Sequence, residues 1–154
     1  MSEHIADAVV VKRGHYGRLL VARIKPNQDL AESLVVLCRA NGFHNAVVRG
    51  VVGSLIDGNL ARGQDDSEQI VHIRGPGVEI LSVYGEILNA TSDAAAVSLH
   101  GVVADTAGQI YAGRFMPGSN LSFITIEVSV QEWIEDAEVM IAPRRQIGSN
   151  NEIA

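Results

Sequence analysis

The pattern of hydrophobic and polar positions predicts one helix in the first third of the chain. Apolar residues recur at helical spacing in the segment DLAESLVVLCRANG, at Leu30, Leu34, Leu37 and Cys38. Asp29 and Glu32 are spaced as in a capping box, in which acidic side chains pair with the free N–H groups of a helix start. Gly42 is placed to end the helix. The stripe predicts a helix that buries one face.

The remainder of the chain has the patterns of β-strands. In SFITIEVSVQE the residues from Ile124 to Gln131 alternate between apolar and polar, which is typical of a strand with one buried face. Residues 78–88 are apolar on both faces, which favours a central strand covered on both sides. Further strand-like segments are 18–24, 45–55, 69–73 and a hairpin within 97–115. The acidic segment 132–138 is predicted to form one or two helical turns. The sum is an α+β domain, with a mostly antiparallel sheet of about seven strands and one main flanking helix.

Length and composition indicate a single globular domain. The chain has 154 residues, of which 47% are hydrophobic and 19% charged. We place an N-terminal extension at residues 1–17, the domain at 18–142 and a loose C-terminal tail at 143–154. The low charge content suggests apolar surface that other copies cover. The single cysteine, Cys38, excludes an internal disulfide and favours the cytoplasm, and no signal peptide or membrane span is predicted.

Four segments, in this order, resemble the plants-and-prokaryotes conserved (PPC) domain family. They are RIKPNQDLAESLVVLCRANGF, VVGSLIDGNLA, GPGVEILSVYGEI and SLHGVVADTAGQIYAGRF, and the resemblance covers about residues 18–132. It implies a seven-stranded antiparallel sheet with flanking helices, assembled as a homotrimer, in the stand-alone bacterial form. The family is often labelled DNA-binding because its plant members carry an AT-hook.

Two departures from the family pattern change what the resemblance implies. No Arg-Gly-Arg-Pro hook is present and the net charge is −6, so we expect no binding to duplex DNA at physiological salt. The family also often has a His-x-His pair and a Gly-Gly-His motif that together hold a divalent metal. Here the corresponding residues are Ser98 and His100, followed by Ala112, Gly113 and Arg114. One histidine in place of three predicts no metal, and no other cofactor is expected.

The hairpin carries the main candidate site. Ser98 and His100 alternate on one face of their strand, and hairpin pairing would place Arg114 beside them. A guanidinium there supplies the positive charge that a metal would otherwise bring, and it favours a carboxylate or phosphate on a small ligand. The alternative is that Arg114 lies on an exposed surface while His100 forms a local hydrogen bond.

Two further charged residues lie within apolar strand segments. Glu79 alternates with Leu81 and Val83 and is therefore predicted to face the apolar side, where a carboxylate must be paired or protonated. It is a catalytic candidate beside His100, and a structural ion pair with an arginine is the alternative. Arg49 lies between valines, where it either borders a ligand pocket or reaches a neighbour in a trimer.

Three functions remain open at this point. The first is a homotrimeric binding module that recognises a small anionic ligand or another protein. The second is an enzyme on small organic acids, such as a lyase, hydratase or hydrolase, with His100 as general acid or base and Arg114 holding a carboxylate. The third is a DNA-binding protein, as the family label implies.

Overall fold

The computed structural model describes residues 10–63 and 67–137, which form one helix and one eight-stranded antiparallel sheet. The elements are β1 (Gly14–Ile24), α1 (Leu30–Ala40), β2 (Asn45–Leu55), β3 (Gly58–Arg62), β4 (Gln69–Ile73), β5 (Val78–Leu88), β6 (Ala96–Ala104), β7 (Ile110–Phe115) and β8 (Ser122–Glu135). The strand order across the sheet is β1-β8-β2-β5-β6-β7-β3-β4. The α+β class and the mostly antiparallel sheet are confirmed.

The helix forms where its apolar stripe and cap predict it. The side chain of Asp29 accepts a hydrogen bond from the backbone N–H of Glu32 at 2.9 Å, which satisfies one free donor of the first turn. Leu30, Leu34 and Cys38 are fully buried where α1 packs on β5 and β6. The core therefore lies between the helix and one face of the sheet.

The opposite face of the sheet is not covered by any described element, and we call it the open face. It carries large apolar side chains that are each more than half exposed: Leu19, Val21, Val52, Ile70, Tyr84 and Ile110. The prediction that residues 78–88 are covered on both sides is therefore wrong for the single chain. Tyr84 of β5 is 65% exposed although its strand is central in the sheet.

Pairing between distant segments adds strand structure that the local pattern does not show. The short strand β3 brings the count to eight, because it pairs with both β4 and β7. β1 begins at Gly14, inside the segment predicted as an extension. β8 continues to Glu135, where Glu135 is opposite Gly14, so the helical turns predicted from residue 132 are wrong up to that point. The predicted tail, 143–154, lies outside the described residues.

The described part of the chain contains no helix that is long and apolar enough to cross a membrane.

Candidate functional site

Three side chains form a row across the open face. Tyr84 on β5 lies directly opposite His100 on β6, and His100 lies directly opposite Arg114 on β7. Directly opposite residues of an antiparallel pair project to the same side of the sheet. The structure therefore brings His100 and Arg114 together across their hairpin, as the hairpin pattern predicts.

Two contacts orient the imidazole of His100. Its Nε2 lies 3.2 Å from Oγ of Ser98, at hydrogen-bond distance. Its ring stacks on that of Tyr84, with centroids 5.7 Å apart and planes 19° apart. Gly85 supports this approach, because a Cβ at that position would clash with the carbonyl oxygen of Ser98. Ser98, His100 and Tyr84 are thus held as one group.

Arg114 is held by a residue that sequence reasoning missed. Its Nη2 donates a hydrogen bond to Oε1 of Glu68, and the two side chains, 37% and 35% exposed, form an ion pair. The pair spans β3, where Ala61 lies in register with Arg114 and is itself buried. No local pattern singles out Glu68, because it reaches the site only through the pairing of β3 with β7. The guanidinium has several other N–H donors, and this bond uses Nη2.

A second carboxylate, also missed, lies beside Ser98. Glu86 of β5 is directly opposite Ser98 on β6 and is exposed on the open face. Among residues 10–63 and 67–137, Glu86 forms no ion pair within 4.0 Å. Among the described residues, the carboxylates of Glu68 and Glu86 therefore flank the row on two sides, with Arg114 as the guanidinium within it.

The predicted burial of Glu79 is wrong. Val78 and Ile80 are buried, the register of β5 shifts between Ile80 and Ser82, and Val83 is again buried. A β-bulge inserts one residue and so reverses which alternate positions face the core. Glu79 consequently lies exposed on the open face, opposite Ala104 and away from His100. None of the described arginines pairs with it.

Arg49 follows Val48, which is opposite Gly85, so its backbone lies near Tyr84, but its guanidinium is directed away from the row. Arg49 is exposed on β2, next to the position where the register of β2 shifts against β8. Its guanidinium lies 5.4 Å from the ring centroid of Tyr16, and Tyr16 in turn contacts Trp133 edge to face at 5.8 Å. Arg49 therefore belongs to an aromatic cluster toward the β1 edge of the sheet, separate from Arg114.

The row lies on the open face, which no other described element covers. One cavity of about 540 Å³ lies between β1 and α1, lined among others by Ala22, Lys25 and Leu37. Another, of about 510 Å³, is lined among others by His44 and Trp133. Neither includes His100 or Arg114. A small ligand at the row would need a second wall from another molecule.

The donor set at the row does not fit a divalent metal. His100 is its one imidazole, Ser98 is a weak ligand and the cationic Arg114 would repel the ion. Within the described part of the chain, no group of three or more His, Cys, Asp or Glu side chains is arranged to hold a metal.

The perturbed titratable groups lie away from the row. Burial raises the pKa of the Cys38 thiol to about 11, which fits an inert core residue. Arg18 holds the pKa of Glu132 below its ordinary value, chiefly through side-chain hydrogen bonds at 3.0 and 3.1 Å. Both groups support the fold.

Comparison with known proteins shows a shared architecture. A PPC protein from Pyrococcus horikoshii is 17% identical with a TM-score of 0.69, and the match covers 84% of this chain and 87% of that one. A metal-containing protein from Archaeoglobus fulgidus is also 17% identical with a TM-score of 0.69, covering 84% and 89%. A protein from Bacteroides thetaiotaomicron with a provisional DNA-binding label is 17% identical with a TM-score of 0.62, covering 81% and 85%. These similarities show the fold.

Among curated proteins, the bifunctional protein GlmU from Synechococcus sp. (strain JA-2-3B'a(2-13)) is 31% identical over 106 residues. The match takes in 69% of this chain but spans only 15% of that protein's length. The model of the Plants and Prokaryotes Conserved (PCC) domain matches residues 11–134. Because that match includes the helix and nearly all of the sheet, this chain belongs to the Plants and Prokaryotes Conserved (PCC) domain family.

Proposed function

We propose that this PCC-domain chain is a homotrimeric binding module that recognises a small anionic ligand through Arg114, His100 and Ser98. The observation that carries the proposal is that His100 lies directly opposite Arg114 on the open face, with Ser98 at hydrogen-bond distance from the imidazole. A guanidinium offers a planar fork of donors that matches a carboxylate or phosphate, and an adjacent imidazole fixes the ligand's orientation. The bond between Arg114 and Glu68 supports this, since the guanidinium already holds a carboxylate.

The exposed apolar side chains of the open face support assembly as a homotrimer. A monomer rarely exposes a broad apolar patch without a partner for it, and Val21, Val52 and Tyr84 all lie on the open face, more than half exposed. A second copy seated there would cover these side chains. It would also supply the wall that a small ligand at the row needs.

The test is to titrate the full chain with butanoate and with inorganic phosphate and to measure binding by calorimetry or NMR. Arg114→Met should weaken binding roughly tenfold or more, as expected for loss of a charge-assisted pair of hydrogen bonds. Arg23→Met is the matched control, because Arg23 pairs with Glu127 across β1 and β8 at 2.7 Å, far from the row. Equal binding by wild type and Arg114→Met would contradict the proposal.

The contact between Ser98 and His100 favours a second candidate, an enzyme on small organic acids. In this candidate His100 moves a proton and Arg114 holds the carboxylate of the substrate. None of the described carboxylates hydrogen-bonds to His100, so the third group of a hydrolytic triad is missing. Turnover of a small acid or ester that is lost in His100→Gln, with ligand binding retained, would favour the enzyme over the binding module.

DNA binding, as the label of some relatives implies, is the third candidate, and the net charge of the chain argues against it. The chain carries a net charge of −6, and duplex binding needs concentrated Lys and Arg. We expect no shift of duplex DNA by the full chain at physiological salt in a gel assay. A salt-sensitive shift of duplex DNA at submicromolar protein would favour the DNA-binding hypothesis.

A further inference from the structure

The charges around the row are not those of a simple anion site. Arg114 is the cation within the row, but Glu68 is bonded to it, and Glu86, opposite Ser98, has no ion-pair partner among the described residues. A ligand whose carboxylate binds Arg114 therefore also interacts electrostatically with the carboxylates of Glu68 and Glu86. Like charges at such distances repel and opposite charges attract.

The positions of Glu68 and Glu86 determine where a positively charged group of the ligand would be attracted. Glu68 touches the guanidinium from the β3–β4 side. Glu86 lies on the other side of His100, two strands from Arg114 and two residues along β5 from Tyr84. Strand spacing and rise put its Cα about 12 Å from that of Arg114. Because both side chains project from the same face, a short flexible ligand can bridge from the guanidinium toward Glu86.

We propose that the ligand is zwitterionic, a small carboxylic acid that also carries an ammonium group. Its carboxylate binds the donors of Arg114 that Glu68 leaves available, and its ammonium group is attracted by Glu86, with Glu68 contributing to the same negative field. A dianion is disfavoured because its second negative charge meets carboxylates. This inference rests on the proposed function, since it specifies the ligand of the same site.

The experiment compares three acids of equal chain length that differ in net charge: 4-aminobutanoate, butanoate and butanedioate. Each acid is titrated into the full chain near neutral pH, and its binding is measured by NMR. We expect 4-aminobutanoate to bind about two- to fivefold more tightly than butanoate, as for exposed charge pairs, and butanedioate to bind most weakly. Glu86→Gln should reduce the advantage of 4-aminobutanoate. Glu127→Gln is the matched control, because Glu127 is an exposed acid paired with Arg23 on another part of the open face.

The outcomes separate the two proposals. If all three acids bind in an Arg114-dependent way but butanedioate binds as well as 4-aminobutanoate, the zwitterion inference is wrong and the anion site stands. If neither Glu86→Gln nor Glu68→Gln changes the preference, the inference is also wrong. If binding of no probe depends on Arg114, the proposed function itself fails and the inference fails with it.

Discussion

Arg114 and Glu68 form an ion pair that crosses β3, with Ala61 buried between their strands. Both side chains remain about a third exposed, so the pair contributes little to the free energy of unfolding. Its effect is to hold the guanidinium in place beside His100 on the open face. The pair therefore fixes the geometry of the candidate site more than it stabilises the fold.

Replacing Arg114 with lysine should preserve the fold but recover only part of the ligand binding. An ammonium group keeps the positive charge and loses the planar fork. We expect a change of less than about 1 kcal/mol in the free energy of unfolding. Binding of small carboxylates should weaken by less than the roughly 1.5–3 kcal/mol expected for Arg114→Met. Urea unfolding and calorimetric titration of the two variants measure the two effects. Equal binding by Arg114→Lys and wild type would show that the fork is not used.

A charge on the open face should dissociate the proposed homotrimer. We expect light scattering of the wild type to give three times the chain mass of 16.5 kDa, and Val52→Glu to give the mass of one chain. The reason is that a buried, unpaired carboxylate at an interface is strongly unfavourable.

Val36→Glu is the matched control for that experiment. Val36 is 63% exposed and Val52 is 67% exposed, but Val36 lies on α1, on the other side of the sheet. It should remain trimeric. A wild type that runs as a monomer at micromolar concentration would contradict the prediction.

Glu132 should contribute stability at neutral pH that is lost in acid. Arg18 lowers the pKa of Glu132 in the folded chain below the unfolded value of about 4.3. The contribution is therefore present above that value and disappears as the pH falls through the folded pKa. Glu132→Gln should have a lower urea midpoint than wild type near pH 7, and the difference should vanish at strongly acidic pH. A difference that stays constant with pH would rule out this linkage.

Cys38 should resist modification while the chain is folded. Burial raises its pKa to about 11 and leaves it fully inaccessible. Alkylation by iodoacetamide at mildly alkaline pH should be slow in the native chain and fast in denaturant. Because the folded pKa exceeds the unfolded value of about 8.5, stability should decline as the pH rises from that value toward the folded pKa. Cys38→Ala should lose that part of the alkaline decline, and rapid labelling of the native chain would contradict the burial argument.

The sequence by itself determined the elements whose signals are local. The stripe at Leu30, Leu34 and Cys38 and the cap at Asp29 specify α1, because helical periodicity and capping act within a few residues. The hairpin that sets His100 opposite Arg114 was equally predictable, since its two arms are joined by a short turn.

The tertiary structure decided which other groups reach the site. Glu68 pairs with Arg114, 46 residues away in the chain, only because β3 pairs with both β4 and β7. Glu79 lies on the open face, and not on the predicted apolar side, because a bulge in β5 shifts the alternation by one residue. Cross-strand pairing joins residues far apart in the chain, and a strand's face depends on every residue inserted before it. Both depend on partners that local periodicity does not specify.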